Sequence, residues 1–392
     1  MTALEVIFWT NVSIVGYAHG GYGMLLRLLP RRRNPQQEEN FKIPSVSLII
    51  AAYDEENVIA GKLDNTLGLD YPRENLEILV VADGSQDGTC AIVTRYAKHD
   101  VKLLYSPERR GKNHAVNRAV GVSQGEIIVL TDANAILNTQ AIKKLVQHFA
   151  APNVGMVAGS KRVISSHRTA AAQEGLYWRY ESWLKTQESR FASVVGAAGE
   201  LLAVRRSSYL PPPRHAIIED FWLTMSLIRA DWRIIYEPEA QATEYASPSM
   251  EAELVRKTRI AAGGWQAMFA FADLLHPRRG RIAFVLWSHR LARWMIVPAL
   301  LPVLLIINTL LAKEPLYATL LAVQLTFYAF AWLGWLLEKR HALPGWLSLP
   351  CFFVASHWAC LVGGWRFLQG NQSAVWQRAP RDGSIPQTTE AG

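Results

Sequence analysis

The sequence predicts an α/β fold, with a doubly wound and mostly parallel sheet joined to interfacial and transmembrane α-helices. Three observations carry that expectation. Apolar runs in the first third of the chain each end on a carboxylate: SVSLIIAAYD at Asp54, LEILVVAD at Asp83 and EIIVLTD at Asp132. Continuous Val, Ile, Leu and Ala of this kind suit strands covered on both faces, hence a parallel sheet. Helix-sized segments separate the runs, as crossovers between parallel strands require. Later, Trp294–Ala312, Pro315–Leu337 and Trp346–Trp365 carry no charged residue. Each has roughly the 20 residues needed to cross about 30 Å of hydrocarbon as a helix.

In chain order, residues 1–34 read as an N-terminal transmembrane anchor, with its apolar stretch from Val6 to Leu29. Glu5 stands where a cleaved signal would carry a positive charge, so a retained anchor fits better. Arg31, Arg32 and Arg33 follow it and place the next domain in the cytoplasm. A polar linker, Asn34–Lys42, leads to a catalytic domain over 44–250. There, strands are expected at 45–52, 76–82, 101–105, 126–131 and 154–160. Helices are expected at 55–69, from near Asp87, and at 112–122, 139–149, 170–190 and 219–230. Residues 251–293 are apolar on one side and basic on the other, the pattern of helices lying in the membrane interface. The C-terminal transmembrane region spans 294–369, and 370–392 read as a disordered tail.

Of the 392 residues, 50% are hydrophobic and 19% charged, and the net charge is +8. The basic residues cluster at membrane edges, at Arg31–Arg33, Arg278–Arg293 and Lys339–His341, where anionic lipid is the expected partner and nucleic acid is not. Cys90, Cys351 and Cys360 offer no pairing framework and are expected to be reduced.

Charges at the carboxyl ends of parallel strands gather in the crevice where open α/β sheets bind ligands. Asp83 opens ADGSQDGT, a strand end followed by a glycine turn, and is placed to accept from a base or ribose; Asp87 can cap the next helix. In ERRGKNHAVNRAV, Arg109, Arg110 and Lys112 stand at a helix N-terminus. Cations there oppose the helix dipole unless an anion such as phosphate uses both. TDAN puts Asp132 and Asn134 two residues apart beyond a strand, oxygens suited to a hard divalent cation held by a diphosphate. IIED offers Glu219 and Asp220 at a helix start, either as caps or as a general base.

From about Pro44 to Gln266 the chain resembles the membrane-embedded family 2 glycosyltransferases of GT-A fold, the group that includes cellulose, hyaluronan and poly-N-acetylglucosamine synthases. The resemblance rests on PSVSLIIAAYDEE, VVADGSQDGT, RRGKNHAVNRA, LTDAN, GAAGELLAVRR, IIED and RKTRIAAGGWQ, in the family's order. It implies that Ala52, Tyr53 and Glu55 line the base pocket and that Asp83 reads uracil or ribose. Lys112 would sit near the nucleotide, with Asp132 at ribose, diphosphate and a Mg²⁺ or Mn²⁺ ion. Asp220 would be the catalytic base, and Arg256, Arg259 and Trp265 would stand where the family closes over the diphosphate.

Two departures qualify the likeness. The usual DxD is DAN, so one metal ligand is the amide of Asn134. The usual Gln-x-x-Arg-Trp is Arg256-Lys-Thr-Arg259-Ile, with Trp265 displaced by several residues. The implied partners are a nucleotide-sugar donor, a UDP-sugar first, and either a growing polysaccharide or a lipid-linked acceptor. A non-catalytic scaffold is the third reading. The implied site of action is the cytoplasmic face of the inner (plasma) membrane.

Overall fold

The computed structural model describes residues 1–32, 42–164, 170–245, 249–338 and 343–374. Arg33, the linker to residue 41, Lys339–His341 and the tail from residue 375 lie outside the described residues. The chain divides into two compact units.

The sheet unit comprises Arg31–Ile164, Trp178–Ala246 and Ser373–Gly392. Its strands are β1 (Val46–Ala52), β2 (Leu76–Asp83), β3 (Val101–Ser106), β4 (Ile127–Asp132), β5 (Ile136–Leu137), β6 (Val154–Ile164), β7 (Leu201–Arg205) and β8 (Arg233–Tyr245). They form one sheet in the order β3-β2-β1-β4-β7-β6-β8-β5. The pairings β1–β2 and β1–β4 are parallel, as the apolar runs predict, and β2–β3 and β6–β8 are parallel too. The pairings β4–β7, β6–β7 and β5–β8 are antiparallel. Strands β5, β7 and β8 have no counterpart in the sequence reading. Strand β8 contains Pro238, which argues against a strand on sequence alone. It is tolerated because the β6–β8 register jumps from Gly159–Glu237 to Ser160–Gln241, leaving Pro238 in a bulge where no ladder donor is needed.

Alternation along the strands assigns each face its own core. Leu48, Ile50, Ile78, Val80 and Val129 pack with Ile59 and Leu63 of the helix Ile59–Leu67 and with Ile142 and Leu145 of the helix Ala141–Val146. Ile49, Leu79, Val81 and Ile128 pack with Ala115 and Ala119 of the helix Lys112–Val122. Helices on both faces make the layer doubly wound. Truncating Leu48 to Ala would cost about 2–5 kcal/mol by the usual core penalty. In-register pairing of Ala52 with Ala82 and of Ala51 with Asp132 brings the ends of β1, β2 and β4 to one edge.

The second unit comprises Met1–Pro30, Ser165–Tyr177 and Ser247–Gln372. It opens with helix from Ala3 to Leu28, through a π-turn at Tyr17–Gly21. Glu5 belongs to its capping box: Thr2 N–H donates to the Glu5 carboxylate at 2.6 Å, and Glu5 N–H donates to Thr2 Oγ1 at 3.3 Å. The helix Met250–Ala270 is capped by Ser249. Three further helices, Arg281–Leu311, Pro315–Glu338 and Gly345–Leu368, are long and apolar enough to cross a membrane. The first is continuous through residues 293 and 294. Phe8, Ile307 and Tyr317 form an apolar contact between the N-terminal helix and two of these. Cys90, Cys351 and Cys360 are free thiols, as expected.

Candidate active site

The turn after β2 organises the first half of the site. Gly84 has φ +74°, and a Cβ there would stand 2.8 Å from Arg109 Cβ, so only glycine lets the two loops press together. That approach brings the backbone of residues 110 and 111 onto Asp83. Asp83 Oδ2 accepts from Arg110 N–H at 2.9 Å and Gly111 N–H at 2.6 Å. Oδ1 is buried and has no hydrogen-bond partner among the described residues. A buried, unsatisfied carboxylate oxygen is costly unless a ligand supplies its donor.

Tyr53 lies beneath the Arg109 guanidinium, 3.8 Å from its ring centroid, and Ala52 is buried at the end of β1. Glu55 is buried too, and its N–H donates to Thr89 Oγ1 at 2.8 Å. Asp54 and Asp87 are turn residues. Asp54, at φ +51°, accepts from Gln86 N–H at 2.8 Å, and Asp87 accepts from Thr89 N–H at 3.0 Å at the helix start. Arg110 pairs with Glu108 through Nε at 2.8 Å.

The second half centres on Lys112, the first residue of its helix after Gly111 at φ +93°. Its Nζ lies 2.7 Å from Asp132 Oδ1 and 3.0 Å from Glu219 Oε1. Asp132 comes from the end of β4, and Glu219 and Asp220 open the helix Glu219–Arg229. Three segments distant in sequence thus meet at one ammonium. Asp220 sits against Gly199: a Cβ on that glycine would stand 3.2 Å from Asp220 Oδ2. Lys112, Thr131, Gly199, Tyr209, Glu219 and Asp220 line one cavity.

The electrostatics follow from this crowding. Burial works against the Lys112 charge, but Asp132 and Glu219 outweigh it and hold its pKa well above the ordinary lysine range. Burial and then Glu219 push the Asp220 carboxyl up to about 7, against the pull of Lys112. A carboxylate poised near neutrality is suited to accept a proton.

Beneath the site lies a polar layer absent from the sequence reading. Lys62, fully buried, donates from Nζ to Thr131 Oγ1 at 3.0 Å and to the Ala135 carbonyl. Burial lowers its pKa to about 7, against the opposing pull of Asp132 and Glu244. Thr131 Oγ1 donates to the Glu200 carbonyl at 2.9 Å. Lys161 joins the Glu200 carboxylate to Glu244, the latter at 2.8 Å. The available signal was positional: Lys62 shares the apolar stripe of its helix with Ile59, Leu63 and Thr66.

Among the described residues no cluster of three His, Cys, Asp or Glu forms a ready-made metal cage. The donors beside β4 nevertheless fit a hard divalent cation that completes its shell with diphosphate oxygens and water. Asn134 Oδ1 is buried without a hydrogen-bond partner among the described residues, an acceptor that a cation would satisfy.

Arg256, Arg259 and Trp265 all lie on the helix Met250–Ala270, in the other unit. Arg256 makes a two-pronged contact with Glu253, both bonds 2.9 Å. Arg259 is half-buried. Trp265 stacks on Phe269 at 6.1 Å and packs against Gly364, where a Cβ would meet its ring at 2.7 Å.

Residues 47–210 match the family described as glycosyl transferase family 2. Asp83, Lys112 and Asp132 fall inside that span; Asp220 and Arg256 lie beyond it. Beta-monoglucosyldiacylglycerol synthase from Trichormus variabilis is 28% identical over 294 residues, 71% of this chain and 61% of that protein. Poly-beta-1,6-N-acetyl-D-glucosamine synthase from Staphylococcus epidermidis is 24% identical over 238 residues, 59% of this chain and 57% of that protein. The chain therefore covers about three fifths of the curated relatives it matches. Among solved structures, the mannosyltransferase PcManGT from Pyrobaculum calidifontis, in complex with GDP-Man and Mn2+, superposes with a TM-score of 0.72 at 26% identity. That likeness covers 94% of this chain and 100% of the other.

Proposed function

We propose that the chain is an inverting, membrane-associated glycosyltransferase using a nucleoside-diphosphate sugar, a reading supported by the match of residues 47–210 to glycosyl transferase family 2 and by the likeness of the fold to the Pyrobaculum mannosyltransferase. The observation that carries this reading is the meeting of Asp132, Glu219 and Lys112, beside an Asp220 carboxyl raised to about 7. Asp220 takes the proton of an acceptor hydroxyl, whose oxygen attacks the anomeric carbon opposite the nucleotide, so an α-linked donor gives a β-linkage. Asp83 offers its open oxygen to base or ribose, while Tyr53 and Arg109 present a stacked surface to the base. Lys112 faces the departing diphosphate, where a preorganised cation contributes most. Asp132 and Asn134 are the residues that would hold Mg²⁺ or Mn²⁺, whose Lewis acidity neutralises the leaving diphosphate.

UDP-sugars are the first donors to test. GDP-sugars come next, since the Pyrobaculum mannosyltransferase structure contains GDP-Man. The polymer reading assigns the acceptor to a growing β-linked polysaccharide, in keeping with the Staphylococcus relative's name. Single addition to a lipid acceptor has its own support, from the displaced Trp265 and the monoglucosyldiacylglycerol synthase likeness. The apolar helices fit an integral inner-membrane protein whose catalytic unit faces the cytoplasm. Incubating purified protein in native lipid with UDP- and GDP-sugars, Mn²⁺ and lipid extract tests the donor and acceptor assignments. Nucleoside diphosphate release with one dominant donor is expected, and product sizing separates polymer from single addition. Release from no donor in the panel would overturn the proposal.

A further inference from the structure

We infer that Lys62 is a positioning residue for the diphosphate- and metal-binding turn of the site, an inference that rests on the proposed function above. The turn runs from Thr131 to Ala135 and carries Asp132 and Asn134. One ammonium grips both of its ends: Lys62 Nζ donates to Thr131 Oγ1 at 3.0 Å and to the Ala135 carbonyl. The direction of the next bond is forced. The Glu200 carbonyl can only accept, so the Thr131 hydroxyl donates to it at 2.9 Å and must accept from Lys62. Glu200 follows Gly199, against which Asp220 rests. One hydrogen-bonded line therefore connects Lys62, the turn bearing Asp132 and Asn134, and the ground beneath Asp220.

Three features set Lys62 apart from an ordinary structural lysine. It is fully buried, its own side chain is not part of the cavity lining, and both of its acceptors are the ends of the same Thr131–Ala135 turn. Outer groups that orient metal ligands typically control affinity by about 10–100-fold. The turn would otherwise be free to let Asn134 Oδ1 relax toward solvent.

The test measures binding, without turnover. The Mn²⁺ concentration giving half-maximal binding of UDP, and separately of GDP, is compared for the wild type, Lys62→Met, Thr131→Val and Thr131→Ser. Nucleotide affinity in EDTA and thermal midpoints are recorded alongside. Lys62→Met and Thr131→Val should raise the Mn²⁺ midpoint about 10–100-fold, leave affinity in EDTA within about threefold, and Thr131→Ser should recover most of the loss. Equal Mn²⁺ midpoints with only lowered thermal midpoints would overturn the inference and leave the transferase reading standing. Should Lys62→Met not fold, the Thr131 pair decides by the same criterion. A wild type that binds neither nucleotide in a Mn²⁺-linked way would overturn the functional reading along with it.

Discussion

Replacing Lys112 with Gln removes the cation placed between Asp132 and Glu219 and leaves those two carboxylates without it. Its two ion pairs, at 2.7 and 3.0 Å, join side chains that are 30%, 25% and 21% exposed. Deleting one partner of a buried pair costs about 3–5 kcal/mol, and of an exposed pair about 0–1. The intermediate exposure sets the expected loss at about 2 kcal/mol near neutral pH. The thermal midpoint should then fall by about 4–8 °C, at roughly 2–4 °C per kcal/mol for a domain of this size. Because the folded pKa of Lys112 is raised, its contribution is fully present below the ordinary lysine value and is lost only as pH rises through the folded value. Between pH 6 and 9 Lys112 itself therefore stays charged, and the loss should grow as pH rises through the Asp220 value of about 7, because the variant has lost the cation that favours the ionised Asp220. Catalysis gives a second readout. Lys112 holds Asp220 down against burial and Glu219, so its removal should carry the acid limb of kcat/KM from about 7 to higher pH, by on the order of one unit. Thermal shift and a pH profile of kcat/KM check both. An unmoved acid limb together with an unchanged thermal midpoint would refute the reasoning.

Other substitutions probe single contacts. Gly199→Ala puts a methyl group 3.2 Å from Asp220 Oδ2, so the carboxylate must shift by a few tenths of an ångström. Its kcat should drop about tenfold with nucleotide affinity retained, since misplacing a group by about 1 Å costs about 10²-fold. Asn134→Asp restores a second carboxylate beside Asp132 and should lower the Mn²⁺ needed for half-maximal activity several-fold; a metal titration reads it. Gly84→Ala meets both a positive φ and the Arg109 backbone and should lower stability by roughly 1–3 kcal/mol, measurable as a thermal shift.

The parts of this molecule legible from sequence are those where one residue type does one thing. The uninterrupted Val/Ile/Leu runs required two covered faces, and β1, β2 and β4 have them. Asp83, Lys112, Asp132 and Asp220 were visible because charge at a strand end or helix start is conspicuous against an apolar background. Other features depended on partners far along the chain. Strand β8 was hidden by Pro238, tolerated only because β6 is bulged against it. Strand β7 was hidden in a stretch whose glycines and arginines suggested irregular chain, although Arg205 caps carbonyls of Phe149 and Ala151. Arg110 looked like an anion ligand but is paired with Glu108. Lys62, a long polar residue in an amphipathic helix, passes for solvated surface until Thr131 and Ala135 are placed above it.

The central claim is that Asp83, Lys112 and Asp132 gather one nucleoside diphosphate beside Asp220, which acts as the base. Asp220→Asn tests it most directly, because the amide keeps the shape and removes the proton acceptor. With the donor identified from the UDP- and GDP-sugar panel, sugar transfer and nucleotide Kd are measured side by side. The account predicts transfer reduced about 10²–10⁴-fold, with Kd within about threefold of the wild type. Transfer at the full wild-type rate by this variant would contradict it.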